Sequence, residues 1–401
     1  MNVLFLTMVK INSFSDRGIY TDLLRKFSQE GHSVYAVCPV ERRDKKNTSV
    51  QIENGGTVLN VKTFNLQKTN LVEKGFGTLA IEYQFLAAIK SHFSKIKFDI
   101  IIYSTPPITF AKVIQFIKKR DNAYSYLLLK DIFPQNAIDM KMMKNNGVLH
   151  KLFLKKERKL YAISDTIGCM SEANKNFIVH HNPDINKNKV EVNPNSIEPI
   201  HFDQSVEQKK AIKSKYNIPQ NKKIFVYGGN LGKPQGIDFL LETIAACTNE
   251  AVFFLIVGTG TEYQRVEKWF QNSKPKNAIL LSGLPKQDYD LLLNSCDVGL
   301  IFLHQDFTIP NFPSRFLSYL EMRMPIIAAT DRNTDIGDVI ENNSCGFKVI
   351  AGDLTKMLSC INTVIESELK FQQMQKNAWQ LLQNEYLVDR SYNSIIEKLH
   401  V

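Results

Sequence analysis

The 401-residue chain lacks the cysteine pattern of a disulfide-stapled or zinc-binding protein. No His/Cys cluster with the spacing of a zinc site is present, and no two cysteines lie close together. This distribution argues against structural zinc and against a dithiol redox site, and it favours a reducing cytoplasm. The six cysteines occur singly: Cys38, Cys169, Cys247, Cys296, Cys345 and Cys360.

A hydrophobic run long enough to span a bilayer is also missing. The longest uncharged apolar stretch of the N-terminal half, 100–111, contains Pro106 and Pro107 and is too short. The opening MNVLFLTMVK has no basic segment before its apolar run and no small-residue cleavage site. We therefore expect a first strand there, no secretion and no transmembrane helix.

Signatures of several other enzyme classes are absent. No Gly-x-Gly-x-x-Gly follows the first predicted strand, 3–6, which weakens a nicotinamide enzyme. No nucleic-acid module appears, nor a basic stretch interleaved with stacking aromatics. The number of carboxylates leaves a paired-carboxylate glycosidase open, although no glycosidase spacing is present.

Charge is unevenly divided along the chain. Residues 1–200 hold 29 Lys and Arg against 18 Asp and Glu, whereas residues 201–401 hold 21 against 22. An N-terminal half at +11 predicts an anionic partner, such as a membrane surface, a lipid pyrophosphate or nucleic acid. The densest cluster, 150–161, sets Leu152, Phe153, Leu160 and Tyr161 among five basic residues. It predicts either an interfacial helix or a surface helix that packs its apolar residues on the domain.

The length predicts two domains, and the element pattern agrees. Strand and helix patterns alternate in the first half, break at the turn-rich segment 193–205, and then restart. Alternation of this kind is typical of parallel sheets covered by helices on both faces. We expect an α/β protein with two Rossmann-like, doubly wound domains. The strands are predicted at 3–6, 34–38, 57–61, 100–103, 124–129, 166–170, 224–227, 252–257, 278–281, 298–303 and 326–329.

The most informative stretch runs from Asp297 to Thr330 and reads as strand, long loop, helix and strand. Ser314 is suited to capping the helix, and Arg315 falls in its first turn. A cation there is unfavourable by about 0.3–1 kcal/mol unless an anion lies between it and the helix. A phosphate would supply that anion, held by free N–H groups, a hydroxyl and the guanidinium. The alternative is an arginine that points into water.

Glu321 follows on the same helix, and two interpretations are open for it. A carboxylate beyond a phosphate site can accept hydrogen bonds from a ribose diol, as in dinucleotide-binding folds. It can equally be a solvated helix glutamate.

The run PNFPSRFLSYLEMRMPIIAAT resembles the "PSK…E…G.P.IA" segment of family 4 retaining glycosyltransferases of the GT-B fold. It is most similar to the bacterial capsule and O-antigen subgroup with a Pro-Ser-Lys motif, such as N-acetylfucosaminyl transferases. Commoner members carry two glutamates; the second matches Glu321, but Pro313 stands at the first position. Arg315 replaces the motif's lysine. The resemblance implies two Rossmann-like domains with a deep cleft between them.

A second matching stretch, YGGNLGKPQG from Tyr227 to Gly236, places a predicted glycine-rich turn between a strand and a helix. The family usually has two cations there, where this chain has Asn230 and Gln235. Lys233 could supply the missing charge together with Arg315, or it could be a solvated loop lysine. The KDIFPQNAID loop resembles "DLWPE" and sets Asp131 at a strand end, either facing the cleft or capping its own loop.

The resemblance assigns roles to residues as follows. Catalytic roles fall to Arg315, Lys233 and Asp131. Donor contacts fall to Gly18, Gly229, Asn230, Gly232, Gln235, Gly258, Gly283, Lys286, Pro313, Ser314 and Glu321.

The function implied is transfer of a sugar from a UDP-sugar, such as an N-acetylated 6-deoxyhexose, to a lipid-linked saccharide, with neither cofactor nor metal. The expected partners are an undecaprenyl-diphosphate-linked acceptor and the anionic inner face of the cell membrane, but not nucleic acid. Residues 1–198 would bind the acceptor and 199–385 the nucleotide sugar, while 386–401 would form a helix that crosses back. A UDP-sugar epimerase of the same architecture and a non-catalytic sugar-nucleotide-binding subunit are the alternatives.

Overall fold

The computed structural model describes residues 1–66, 71–200, 202 and 204–399. Residues 201 and 203 of the predicted linker, and residues 400 and 401 of the predicted final helix, lie outside this description. Across the described ranges, no helix combines the length and apolarity needed to cross a bilayer.

The chain forms two compact units. Unit 1 comprises Met1–Glu198 together with Leu387–Val401, and unit 2 comprises Pro199–Tyr386. The acceptor and donor roles assigned to these parts of the chain stay predictions.

Unit 1 is built on a sheet in which, among the described residues, eight strands pair. Their order is β3-β4-β2-β1-β5-β6-β7-β8, and every pairing is parallel except that of β3 with β4. The central strands are apolar along their whole length because helices cover both faces. The strands are β1 (Asn2–Leu6), β2 (Ser33–Glu41), β3 (Ser49–Glu53), β4 (Gly56–Thr63), β5 (Ile100–Ser104), β6 (Tyr124–Leu129), β7 (Thr166–Cys169) and β8 (Val190–Val192).

Helices connect these strands. The C-terminal segment adds one more helix to unit 1. Within unit 1, Leu387 pairs with Ile197, and the final helix packs against the first through Tyr392, which stacks edge-on against Phe27. The helices are α1 (Ile19–Gln29), α2 (Leu71–His92), α3 (Ala111–Asp121), α4 (Gln135–Asp139), α5 (Val148–Ile163), α6 (Glu172–His181) and, at the C-terminus, α15 (Val388–Glu397).

Unit 2 has a sheet in which six described strands pair, all parallel, in the order β11-β10-β9-β12-β13-β14. Counted from its first strand, this is the order 3-2-1-4-5-6 of a doubly wound dinucleotide-binding sheet. The strand order reverses between β9 and β12, where ligands of such sheets bind. The strands are β9 (Lys223–Asn230), β10 (Val252–Thr259), β11 (Ala278–Leu281), β12 (Val298–Phe302), β13 (Ile326–Thr330) and β14 (Gly346–Ile350).

The helices of unit 2 close a core between themselves and the sheet. Phe225, Phe254 and Phe302 are buried in this core from the strand side, and Leu240 and Ile361 from the helix side. The helices are α7 (Val206–Lys215), α8 (Ile237–Ala246), α9 (Tyr263–Ser273), α10 (Lys286–Leu293), α11 (Arg315–Glu321), α12 (Ile336–Asn342), α13 (Leu354–Glu366) and α14 (Glu368–Glu385).

The predicted fold class, α/β with two Rossmann-like sheets, is confirmed. The sequence pattern missed β3, an almost fully exposed edge strand in which Val50 and Ile52 alternate with polar residues. It also missed β8, β14 and α7. The apolar pattern predicts a helix over 83–93, whereas α2 starts at Leu71. Gly75 and Gly77 weaken the helix pattern of its first turns.

Candidate functional site

The carboxyl ends of β9 and β12 hold the densest group of predicted site residues. β9 runs on to Asn230, so Gly228 and Gly229 lie on a strand and not in the predicted glycine-rich turn. Gly229, at a φ of +123°, pairs with Gly258 of β10. A Cβ at Gly258 would overlap the Gly229 carbonyl oxygen, so the close strand approach requires glycine there. The turn itself starts at Leu231.

Arg315 reaches this strand end from the start of α11. Its Nη2 donates to Gln235 Oε1 at 2.5 Å, and its guanidinium carbon lies 4.3 Å from the centre of the Tyr227 ring. A Cβ at Gly229 would lie 3.6 Å from Nη2, so the guanidinium covers the glycine directly. Sequence reasoning placed Arg315, Gly229 and Gln235 in one site, and the structure brings the three together.

Tyrosines surround the guanidinium, and sequence reasoning missed their role. The hydroxyl of Tyr319 accepts from the Gly228 N–H at 3.2 Å and lies 3.1 Å from the Leu300 carbonyl oxygen. Burial raises the pKa of Tyr319 to about 12, although the charge of Arg315 opposes the rise. Tyr227 stands next to the glycines of its motif, a signal that could have been noticed. Tyr319 offers no signal in sequence because only the fold brings it to β9.

The Nη1 atom of Arg315 is buried and has no hydrogen-bond partner among the described residues. Arg315 also forms no ion pair within the described ranges. A buried cation without a counter-charge carries a desolvation cost that a bound anion would offset. The site can therefore bind an anion through a charge-assisted hydrogen bond.

The start of α11 differs from the prediction. Ser314 occupies the N-cap position, but its φ of −61° and ψ of −22° are helical and its side chain makes no capping hydrogen bond. An N-cap residue needs an extended backbone for its side chain to accept from the N–H groups of the following first turn. The capping prediction is therefore wrong. Ser314 is exposed, and Pro313 before it is half-buried.

Glu321, at the far end of α11, is buried and not solvated. Its Oε1 accepts from the Ile200 N–H at 2.9 Å, so the carboxylate fixes the start of unit 2. The prediction that Glu321 binds a ribose is not decided by this contact.

The loop from Asn230 to Gln235 exposes Lys233 to solvent and buries Gly232. Lys233 is exposed and, within the described ranges, its ammonium has no hydrogen-bond or ion-pair partner. The Asn230 carbonyl accepts from the Tyr227 hydroxyl at 2.8 Å. Gly232 is buried against the Asn230 side chain. The loop therefore presents one exposed cation, Lys233, in addition to Arg315.

Gly283 and Lys286 lie before and at the start of α10. Gly283 is exposed, and the Lys286 ammonium pairs with Asp290 at 2.6 Å. An Asp-x-Asp pattern, Asp288-Tyr289-Asp290, also occurs here, but Asp288 accepts from Lys215 at 2.8 Å. In the part of the chain that the structure describes, no group of three or more His, Cys, Asp or Glu is placed to hold a metal ion.

In unit 1, Gly18 precedes α1 and is exposed. Its N–H donates to Asp22 Oδ1 at 3.2 Å, and the same buried carboxylate pairs with Arg25. Gly18 thus belongs to a braced loop after β1, beside the point where the strand order of this sheet reverses between β1 and β5.

Asp131 follows β6 and is half-buried. Both of its carboxylate oxygens accept from Asn136 Nδ2 at 2.8 Å, as expected of a carboxylate that braces its own loop. Burial raises the pKa of Asp131 to about 6, which the hydrogen bond from Asn136 opposes. Its neighbour Lys130 has its pKa lowered to about 7 by burial. These two groups titrate near neutrality, as proton-transferring groups do.

Comparison with known proteins finds a family likeness in part of unit 2. Residues 208–380 match the family model of the glycosyl transferases group 1. This segment is similar to the domains of that family. It contains the Gly229, Gln235 and Arg315 group, together with Lys233 and Glu321.

Two relatives extend the likeness. WbjE of Pseudomonas aeruginosa, named as a glycosyltransferase, is 22% identical over 307 residues, which is 75% of this chain and 74% of WbjE. WcaI of Escherichia coli (strain K12), whose name assigns it to colanic acid biosynthesis as a glycosyl transferase, is 28% identical over 134 residues, or 33% of this chain and 32% of WcaI.

Solved structures share the fold over the whole chain. Sucrose-phosphate synthase from Thermosynechococcus elongatus has a TM-score of 0.77 at 14% identity, covering 100% of this chain and 98% of that one. HepE from Anabaena, in complex with UDP and glucose, has a TM-score of 0.70 at 15% identity, covering 100% and 99%. At these identities the likeness shows the fold alone.

Proposed function

We propose that the protein transfers a sugar from a UDP-sugar to a lipid-linked saccharide. The observation that carries the proposal is the buried, unpaired Nη1 of Arg315 at the switch point of a doubly wound sheet. This is where such sheets bind nucleotides, and the atom lies in the segment that matches the glycosyl transferases group 1 model.

Arg315 is proposed to bind the diphosphate of the donor. Its Nη2 is already engaged by Gln235, which leaves Nη1 to donate to a phosphate oxygen. Gly229 has no side chain to fill the space beside the guanidinium. UDP is favoured as the nucleotide by HepE, a protein of the same fold that was solved with UDP.

The proposed reaction breaks the bond between the anomeric carbon and the β-phosphate oxygen of the donor. The electron pair leaves with UDP, whose added charge Arg315 and Lys233 stabilise. An acceptor hydroxyl oxygen forms the new bond to the anomeric carbon, and its proton passes to Asp131, to the departing phosphate or to solvent. Retention of anomeric configuration, without a cofactor or metal, completes the proposal on the resemblance to family 4 enzymes.

The side chain of Gln235 explains how the site works without the cations that the resemblance leads one to expect. Gln235 Oε1 fixes the guanidinium instead of competing with it for the phosphate. The charge has thus moved from the loop after β9 to α11, which agrees with the Pro-Ser-Lys subgroup, where a cation follows the Pro-Ser pair. We place the chain in that subgroup as part of the proposal.

The remaining donor contacts follow from position. Asn230, Gly232 and Lys233 belong to the loop that follows β9, and Pro313 and Ser314 precede Arg315. Gly258, Gly283 and Lys286 follow β10 and β11 and would border the base, while Glu321 would orient the ribose. Gly18 of unit 1 would let the donor approach.

Unit 1 is proposed to bind the acceptor, an undecaprenyl-diphosphate-linked saccharide. Its net positive charge suits a diphosphate, and Asp131, with its raised pKa, is the proposed proton-handling group beside Lys130. The polysaccharide context is favoured by WcaI, which is named for colanic acid biosynthesis. The donor sugar is proposed to be an N-acetylated 6-deoxyhexose such as N-acetylfucosamine, in capsule or O-antigen synthesis.

A screen of UDP-sugars against a short-chain polyprenyl-diphosphate-sugar, analysed by mass spectrometry, tests the proposal. We expect one donor to increase the acceptor mass by one sugar residue. Conversion of a UDP-sugar without acceptor would instead identify an epimerase. Binding of donor and acceptor without any mass increase would identify a non-catalytic subunit.

A further inference from the structure

Unit 1 exposes apolar side chains on two of its helices, α2 and α5. On α2, Phe76 is 71% exposed and Tyr83 55%, and both lie on one helix face with Leu79. On α5, Val148 is 86% exposed and Leu149 60%. We call these residues, together with Leu152 and the lysines at 151, 155 and 159 of α5, the apolar-cationic surface.

One ion pair links the two helices. The Lys156 ammonium lies 3.8 Å from the Glu82 carboxylate and joins α5 to α2. Leu152 lies one turn before Lys156, and Leu79 lies three residues before Glu82, so the exposed residues flank this ion pair. The ion pair therefore links the exposed residues of α2 with those of α5.

Exposed charge on the α5 side is of one sign. Residues 141–159 contain seven Lys and Arg and a single acidic residue, Glu157. Glu157 is buried and accepts from the Tyr161 hydroxyl at 2.8 Å. Burial raises its pKa to about 7, which further reduces its negative charge. The solvent-facing charge of this segment is therefore entirely positive.

The structure also corrects which apolar residues face solvent. Leu160 and Tyr161, counted among the interfacial residues in the sequence pattern, are buried in unit 1, and Phe153 packs on Phe133. Val148 and Leu149, at the start of α5, are exposed instead. The apolar part of α5 that is free for a partner is its first turn.

We propose that the apolar-cationic surface docks on an anionic lipid bilayer. Lysines attract the headgroups, while the apolar tips of α2 and the first turn of α5 enter the boundary with the acyl chains. A nucleic acid or an acidic polymer would pair with the lysines but would leave the apolar residues in water. The docking deepens the proposed function, on which it rests for a lipid-borne acceptor.

Vesicle co-sedimentation of the full chain tests the docking. Phosphatidylcholine vesicles with and without phosphatidylglycerol are compared at low and high salt. We expect binding only to the anionic vesicles, and weaker binding as salt rises because exposed charges are screened. Binding equal on both vesicle types, or absent from both, would overturn the proposal.

Two variants locate the surface. Replacing Lys151, Lys155 and Lys159 with Gln should weaken binding by about fivefold per lysine. Replacing Val148 and Leu149 with Ser should weaken it by about tenfold, since buried apolar area is lost. The matched control replaces Leu369 (81% exposed), Lys370 and Lys376 of α14 with Ser, Gln and Gln, and it should bind as the wild type does.

Three further results decide between docking and its alternatives. If the Val148 and Leu149 variant binds vesicles as tightly as the wild type, the surface is not the docking site. A single-stranded oligonucleotide is added as a competitor of vesicle binding. If it displaces the protein from vesicles, and if the Val148 and Leu149 variant binds it as tightly as the wild type does, the partner is another polyanion. Transfer to a water-soluble short-chain acceptor should be unchanged in both docking variants, so loss of docking and failure of the transferase proposal are measured separately.

Discussion

At the scale of single residues, Arg315 is held by neighbours that carry no charge. Gln235 fixes one of its nitrogens, and the ring of Tyr227 lies against its face. The face of a tyrosine ring attracts a guanidinium through a cation–π interaction, and it leaves the charge of the guanidinium unchanged. The cation is thus positioned for an anion before the anion arrives, which is the arrangement that electrostatic catalysis needs.

Replacement of this arginine is the first prediction. Arg315→Ala should lower kcat by roughly 100- to 1,000-fold, the effect of removing one donor to a developing charge. Arg315→Lys should recover part of the rate, because lysine keeps the charge but not the fork. The control is Arg323→Ala, two residues beyond the same helix, where the arginine stacks on Trp379. Wild-type kcat in Arg315→Ala would remove the residue from the reaction.

A second prediction concerns the exchange of charge between Gln235 and Arg315. Gln235→Lys restores a cation that the family pattern has, yet it should weaken UDP binding and destabilise the protein by about 1–3 kcal/mol, because two cations then face each other. The swap Gln235→Lys with Arg315→Gln should be more stable than Gln235→Lys alone. Urea unfolding and UDP titration of Gln235→Lys, Arg315→Gln and the double variant measure this. Simple additivity of the two changes would show that the side chains are not coupled.

Asp131 gives a pH dependence, which is the third prediction. Its folded pKa of about 6 lies above the ordinary value of 3.8, so the folded state binds the proton more tightly than the unfolded state. The free energy of unfolding therefore falls as pH rises from about 4 to 6, because the carboxyl loses its proton. Above about pH 6 this decrease is complete. Asp131→Asn should be more stable than the wild type at pH 7.5, and the gain should shrink as pH falls below 6. A gain independent of pH in urea unfolding would contradict this assignment.

At the scale of elements, strand pairing decided what local pattern did not. Gly228 and Gly229 predict a turn by composition, but pairing with β10 carries β9 through to Asn230. Ser314 has the chemistry of a cap, and its helical backbone prevents it from capping. Apolar strands buried on both faces were predictable because their patterns are local, whereas the contact of Arg315 with Gln235 joins residues 80 positions apart.

Helix α15 supports the fourth prediction. Ile395 is fully buried in the core of unit 1, and the Tyr392 hydroxyl lies 2.9 Å from His32 Nε2. Ile395→Ala should lower the free energy of unfolding by about 2–5 kcal/mol, through lost burial and the cavity that remains. Leu369→Ala, at an exposed position, should change it by less than about 0.5 kcal/mol. Equal effects of the two changes in urea unfolding would show that α15 is not part of the core.

At the scale of the whole molecule, each sheet reverses its strand order beside its own first strand, between β1 and β5 in unit 1 and between β9 and β12 in unit 2. The alternation of strands and helices in the sequence was sufficient to predict this class. The tyrosines around Arg315 could not be predicted, since Tyr289 and Tyr319 come from two helices that only the fold brings to β9. The carboxylate of Glu321 was placed correctly on its helix, but its contact with Ile200 follows from the tertiary structure.

The central claim is that unit 2 holds a nucleotide diphosphate through Arg315, and calorimetric titration tests it most directly. Folded wild-type protein should bind UDP, and it should bind uridine, which lacks the diphosphate, more weakly. Arg315→Ala should reduce the affinity for UDP by about tenfold or more, the size of a charged hydrogen bond, and leave the affinity for uridine unchanged. Absence of UDP binding to the folded wild type, or equal UDP affinity in Arg315→Ala, would contradict the claim.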